Sequence, residues 1–350
     1  MRSLKRVLGN PIMKQGTVVN GRHVKFEKII AAFLKHLRTT ANAFAKHDIE
    51  HVVMGRPVHF VDNNAAADAA AQDELGSIAR AVGFKNVEFQ LEPIAAAFAH
   101  ESNITKEQLA IVVDLGGGTS DFTIIKVSRE YIHKPDRTSD ILASTGVRIG
   151  GNDFDKNLCL SVIMPELGYR STYGQKNLEV PLTYYHEMAE WSKVNFLYTP
   201  RVLTKVRQLY NESHDQRRFG RLLKILEQEK GHSVLAATEE SKIALTNTPV
   251  VETDMSFVES DFSITAERDV FESAIAGDIQ RILSAATECL TQAHLKAAEI
   301  QLVILTGGST EIPKVKQAFQ ELFPLAKIAD ENKLSSVAIG LAYDSERRFR

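Results

Sequence analysis

Val113-Asp114-Leu115-Gly116-Gly117-Gly118-Thr119-Ser120-Asp121 is the stretch on which the fold turns. Apolar residues over 109–113 predict a strand that delivers Asp114 to its carboxyl end, and 122–127 predict a second strand directly after the turn. Three consecutive glycines let the backbone reverse without Cβ clashes. The amide N–H groups of such a turn form a nest for phosphate oxygens. Thr119 adds a hydroxyl, and Asp114 and Asp121 are hard oxygen ligands suited to Mg²⁺ or its water shell. Because a strand rather than a helix follows, the segment is neither a dinucleotide-binding turn nor a P-loop. A glycine hairpin needs no ligand to form, but three glycines between two acids are more than turn-making requires.

Outward from this hairpin, strands and helices alternate, which predicts an α/β protein. Upstream, the spacing of Phe26, Ile30, Phe33, Leu34, Leu37 and Phe44 predicts one long amphipathic helix. A short strand over 51–54 breaks at Gly55-Arg56-Pro57, an alanine-rich helix over 65–81 stops at Gly83, and a strand over 87–91 runs into a helix opened by Glu92-Pro93. Downstream, helices are predicted over 238–245 and about 267–297, then a buried strand over 301–305, a helix from Pro313 and a short last helix over 337–343. Between them, 165–232 holds the only Trp, Trp191, and a basic-polar run. It reads as an inserted helical segment whose surface is either a solvated face or a partner-binding patch.

Composition narrows the function classes. The 350 residues allow two or three domains, and a net charge of -2 weighs against a nucleic-acid footprint. No apolar run is long enough to span a membrane, and the basic stretch 1–13 makes a poor signal peptide. Cys159 and Cys289 read as buried, reduced thiols, so a cytoplasmic setting is expected. No nucleophile elbow, H-E-x-x-H or C-x-x-C occurs.

Three further groups carry weight only together. Thr306-Gly307-Gly308-Ser309-Thr310 lies between a buried strand and a helix, where ligands approach open α/β sheets, although paired glycines there also serve tight packing. Glu239, Lys242 and Thr246 share a helical face, and alone they are an ordinary surface stripe. Glu92 alone reads as a capping acid, and Lys5 alone as a surface residue.

Taken in order, these segments resemble the DnaK-type heat-shock protein 70 family. The 114–121 segment resembles its second phosphate motif. Leu91-Glu92-Pro93-Ile94-Ala95-Ala96-Ala97 is similar to its first connecting motif, Thr306-Gly307-Gly308-Ser309-Thr310-Glu311 to its adenosine motif, and Val337-Ala338-Ile339-Gly340-Leu341-Ala342 to its second connecting motif. Arg148-Ile149-Gly150-Gly151-Asn152-Asp153 and Glu239-Glu240-Ser241-Lys242-Ile243-Ala244-Leu245-Thr246 also match. Val53-Met54-Gly55-Arg56-Pro57 and the 165–232 segment look most like the short YegD-type chaperone homologues.

The resemblance implies an actin-like, ribonuclease-H-like ATPase fold of two lobes, 1–106 and 107–350, the second carrying 165–232 and the C-terminal connecting helix. It implies Mg²⁺ with ATP or ADP between the lobes. Catalytic roles fall to Lys5, Glu92, Asp114 and Thr119, and metal binding to Asp114 and Asp121. Nucleotide contacts fall to Gly116, Gly117, Gly118, Thr119, Gly150, Gly151, Glu239, Lys242, Thr246, Gly307, Gly308 and Ser309. Three departures qualify it. No Asp-x-Gly-Thr hairpin precedes Lys5, a deficit of about 60 residues that would leave the first lobe incomplete. Glu311 stands where an arginine usually stacks on adenine, which implies weaker nucleotide affinity. The sequence stops after the second connecting helix, so no peptide-binding domain is expected in it. A catalytically dead scaffold binding a partner through 165–232, and a sugar or acyl kinase of the same fold, are the rival readings.

Overall fold

Period-two alternation and helical stripes resolve into thirteen named strands and eleven α-helices in the computed structural model, which describes residues 7–8, 13, 16–19, 22–61, 64–101, 104–134, 136–329 and 335–349. In chain order the first elements are β1 (Thr17–Val19), β2 (Arg22–Val24), α1 (Phe26–Ala45), β3 (His51–Arg56), α2 (Ala65–Ala81), β4 (Asn86–Leu91) and α3 (Glu92–Glu101). The hairpin follows as β5 (Gln108–Leu115) and β6 (Ser120–Val127), then β7 (Ile141–Val147) and α4 (Gly151–Leu158). Next come β8 (Thr172–Tyr173), β9 (Leu178–Glu179), α5 (Thr183–Met188), α6 (Pro200–Glu212), α7 (Gln216–Glu227) and α8 (Gly231–Leu245). The chain continues through β10 (Val250–Asp254), β11 (Ser263–Glu267), α9 (Arg268–Gln292), β12 (Leu302–Thr306), α10 (Pro313–Leu322), β13 (Lys327–Ala329) and α11 (Ser336–Arg348).

The central sheet has the order β13-β12-β5-β6-β7. Its first three strands are parallel, while β5, β6 and β7 pair antiparallel. One face packs Ile111, Val113, Phe122 and Ile124 against α9 and α10 residues such as Phe271, Ile275, Val315 and Phe319. The other face packs Ala110, Val112 and Ile304 against Ile94, Ala97 and Phe98 of α3. β3 and β4 form a separate parallel pair, with α1 and α2 sharing their core.

Helices α3 and α11 cross closely. A Cβ on Gly340 would fall 1.7 Å from the Ala95 carbonyl oxygen, so only glycine permits the approach. Behind the crossing, Arg137 donates from both Nη atoms to Glu101 at the end of α3, at 3.0 and 2.7 Å, and from Nε to Asp140. The Arg137 and Glu101 side chains are almost wholly buried.

Several elements differ from expectation. β3 runs on through Gly55 to Arg56, because Gly55 lies against the Glu92 side chain and pairs with Gln90 in the neighbouring strand. In α1 only Phe26, Ile30 and Leu34 are buried, and Phe33, Leu37 and Phe44 are exposed. The 165–232 segment is helical but also contains the β8–β9 hairpin. It shares one core with α8 and β11 through residues such as Tyr185, Phe219, Val234 and Ile264. Cys159 and Cys289 are buried and free, and desolvation pushes the Cys159 thiol up to about 12. Among the described residues, no helix is long and apolar enough to cross a membrane.

Candidate functional site

Strand register places Thr306 beside Asp114, Asp114 opposite Asp121, and Asp121 opposite Gly146. Directly opposed residues share a sheet face, so these four form one rung across β12, β5, β6 and β7. All four line a cavity of about 250 Å³. The rung below, Val112, Thr123 and Ser144, lines it too, with Thr123 and Ser144 joined hydroxyl to hydroxyl at 3.3 Å. Two carboxylates opposite each other destabilise a ladder unless a cation or donor sits between them. Gly146 makes room for them: a Cβ there would fall 2.8 Å from Asp121 Oδ1.

Above the rung, three glycine segments lock together. Gly116 N–H donates to Thr119 O at 2.9 Å and closes the hairpin turn. The first amides of α4 then cap it from outside, Gly151 N–H to Gly116 O at 3.0 Å and Asn152 N–H to Gly117 O at 2.7 Å. A trans peptide points its N–H opposite to its C=O, so the Gly117 and Gly118 amides are directed away from α4. On Gly150 a Cβ would fall 2.5 Å from Gly118 N, and on Gly307 one would fall 2.3 Å from Leu115 O. Of Gly116, Gly150, Gly151 and Gly307, only Gly307 takes a left-handed backbone, at φ +87°. The need for glycine at 150 is therefore close approach, not handedness, whereas a Cβ on Gly116 would meet only ordinary contacts, the nearest being Thr119 O at 3.4 Å.

The facing wall comes from the segment after β3 and the start of α3. Because α3 packs on the rung's own face, its first residue, Glu92, reaches the cavity with Pro93. Pro57, His59 and Phe60 complete the wall. Asp68 on α2 holds them there, with Oδ2 paired to Arg56 at 2.5 Å and Oδ1 accepting from Phe60 N–H at 2.5 Å. Burial works to raise the Asp68 pKa, but the Arg56 guanidinium and the backbone amides outweigh it and hold it below the usual carboxylate value.

The residues expected around adenosine lie to the other side of the glycine turns. Lys242 is ion-paired to Asp155 at 2.7 Å and donates to Gly151 O at 3.3 Å. Ser309 Oγ lies 2.8 Å from where a Gly151 Cβ would sit. Gly308 opens the short 3₁₀ turn Gly308–Glu311. Glu239 stands on α8 with Lys242, and Thr246 caps that helix at its carboxyl end, its hydroxyl donating to Ile243 O at 2.6 Å. None of Glu239, Lys242 or Thr246 lines the cavity of the carboxylate rung. Lys5 lies outside the described residues.

The family profile described as Hsp70 protein matches residues 8–196 and 202–346. The chain belongs to the Hsp70 family. Its mixed sheet is accordingly the actin-like ATPase fold of that family. Among curated Hsp70-family proteins, it is 27% identical over 323 residues to the mitochondrial heat shock 70 kDa protein of Pisum sativum, covering 92% of this chain and 39% of that protein. It is 26% identical over 320 residues to the chaperone protein HscA homolog of Histophilus somni (strain 129Pt), covering 91% and 40%. The mitochondrial heat shock 70 kDa protein of Trypanosoma cruzi is 26% identical over 328 residues, covering 92% and 40%. The chain thus spans about two fifths of the length of these relatives.

Among the lining residues that the sequence reading did not assign to the site are His59, Thr123, Ser144, Gly146, Arg148 and Thr306. Thr306 had a signal, since it ends a buried strand beside a glycine pair. Arg148 had one too, as the first residue of the Arg148-Ile149-Gly150-Gly151 segment, whereas Gly146 had none until register set it against Asp121.

Proposed function

We propose that this cleft binds Mg·ATP and Mg·ADP, and that the chain is the nucleotide-handling part of an Hsp70-type chaperone ATPase, nearest to the YegD type. One observation carries the reading: two carboxylates opposed on neighbouring strands, beneath a turn whose Gly117 and Gly118 amides point away from the helix that caps it. Among the described residues no cluster of three or more His, Cys, Asp or Glu side chains could cage a metal. Mg²⁺ needs no such cage, because it is held by one or two carboxylates, waters and substrate phosphates. Asp114 and Asp121 fit that role, and a bound Mg²⁺ would supply charge neutralisation for the phosphates.

In this proposal Thr119 and the turn amides hold the terminal phosphates. Glu92, on the facing wall, orients the water that attacks the terminal phosphorus as the bridging oxygen departs. Lys5 would add positive charge. Glu239, Lys242, Thr246, Gly307, Gly308 and Ser309 surround the adenosine, and Glu311 in place of a stacking arginine keeps affinity modest. The lobes divide at about residue 106, with the cleft between the β3–β4 pair and the central sheet.

Isothermal titration of the chain with Mg·ATP and Mg·ADP, with and without chelator, tests binding, and phosphate release tests turnover. Saturable, metal-dependent heats are expected. No binding of either nucleotide would sink the proposal.

A further inference from the structure

We propose that Arg148 is the specificity-determining residue of this cleft: its guanidinium takes the terminal phosphate of a nucleoside triphosphate and makes Mg·ATP bind more tightly than Mg·ADP. The inference rests on the nucleotide reading above and deepens it.

The strand end and the cavity lining place the side chain. In β7, Gly146 faces Asp121 and Val147 faces Ser120, where the pairing ends, and Arg148 is the next residue of the chain. Gly146 and Arg148 both line the cavity of the carboxylate rung. Arg148 lines the cavity together with Thr119, Asp114, Asp121 and Glu92. Its backbone is fixed against the turn from both sides. Ser120 Oγ donates to Ile149 O at 2.8 Å, and the Gly151 amide donates to Gly116 O at 3.0 Å. The base of the side chain is thus held in place before any ligand arrives.

Charge decides what it serves. Among the described residues lining the cavity, Arg148 is the one permanently charged cation, set among three carboxylates. It forms no ion pair with any described residue. A planar guanidinium presents a fork of donors that matches phosphate oxygens, and it stays charged at every physiological pH. The adenosine candidates Lys242 and Ser309 meet at Gly151, outside this cavity, so the end that Arg148 lines is the phosphate end.

The test is isothermal titration of the whole chain with Mg·ATP and Mg·ADP for wild type, Arg148→Ala, Arg148→Lys and, as a surface control, Arg201→Ala. Arg148→Ala is expected to weaken Mg·ATP by about tenfold and Mg·ADP by less than about twofold. Arg148→Lys should recover part of the loss, because it keeps the charge without the fork. Urea midpoints matching wild type confirm that each variant is folded, and Arg148→Lys still reads the ratio if the alanine variant is not. An ATP-to-ADP affinity ratio unchanged by either substitution, or equal losses for both nucleotides, overturns the inference while leaving the nucleotide reading intact. A wild type that binds neither nucleotide overturns both.

Discussion

A Cβ on Gly307 would overlap the Leu115 carbonyl, and the residue's φ of +87° is one that side chains rarely adopt. Gly307→Ala is therefore expected to cost at least about 2 kcal/mol, visible as a lower urea midpoint, and to push the 116–118 turn off its support. Asp68 gives a second test at this scale. Its folded pKa lies below its unfolded value, so its contribution is present above the unfolded value and lost as pH falls through the folded one. The stability gap between wild type and Asp68→Asn should hold from pH 7 to about 5 and close below about pH 4, near the ordinary Asp value. Urea unfolding across that range reads it, and a gap that widens on acidification would refute the assignment. The 114–121 glycines and acids were legible in sequence because few residue types do what they do. Asp68 was not, since one Asp in an alanine-rich helix looks like any surface acid.

At the scale of elements, α3 is the part on which the site depends. It packs across the carboxylate face, sets Glu92 at the cavity, and ends in Glu101 bound to buried Arg137. Removing the cation would leave a charge with under 1% exposure unpaired. Arg137→Ala should destabilise the fold by about 3–5 kcal/mol, and Arg137→Met with Glu101→Leu should recover much of that. Thermal or urea unfolding of the three proteins decides it; an Arg137→Ala protein as stable as wild type would show the pair to be dispensable. Sequence periodicity predicted α3 and the hairpin strands, because their apolar runs are continuous and bounded by Pro or Gly. It missed β1, β2, β7, β8, β9, β10, β11 and β13, whose runs are short or broken by small and polar residues and so carry too little apolar pattern to stand out. It also overstated the apolar face of α1, where tertiary packing covers only part of the stripe.

For the whole molecule, the glycine turns draw on β5, β6, α4 and β12, and the facing wall on the segment after β3 and on α3. A ligand touching both sides binds only the folded chain. Mg·ADP at a hundredfold excess over its Kd should then raise unfolding stability by about 2.7 kcal/mol. Thermal unfolding with and without nucleotide measures this, and a midpoint indifferent to Mg·ADP would favour a scaffold that has kept the fold without the ligand.

The family and its fold were determined by the sequence itself, through motifs whose order and residue types leave little freedom: glycines where backbones touch, acids at strand ends, a proline opening α3. What the tertiary structure alone decided was which of those residues face one another. Register set Asp114 against Asp121 and Gly146 against Asp121, and folding brought Arg148 into the lining of the same cavity. It also parted the carboxylate cavity from the Lys242–Asp155 pair. Sequence fixes local conformation through sterics, whereas strand pairing is settled by the burial of whole faces. The 114–121 hairpin was therefore recognisable before folding, and the residues set against it across the sheet were not.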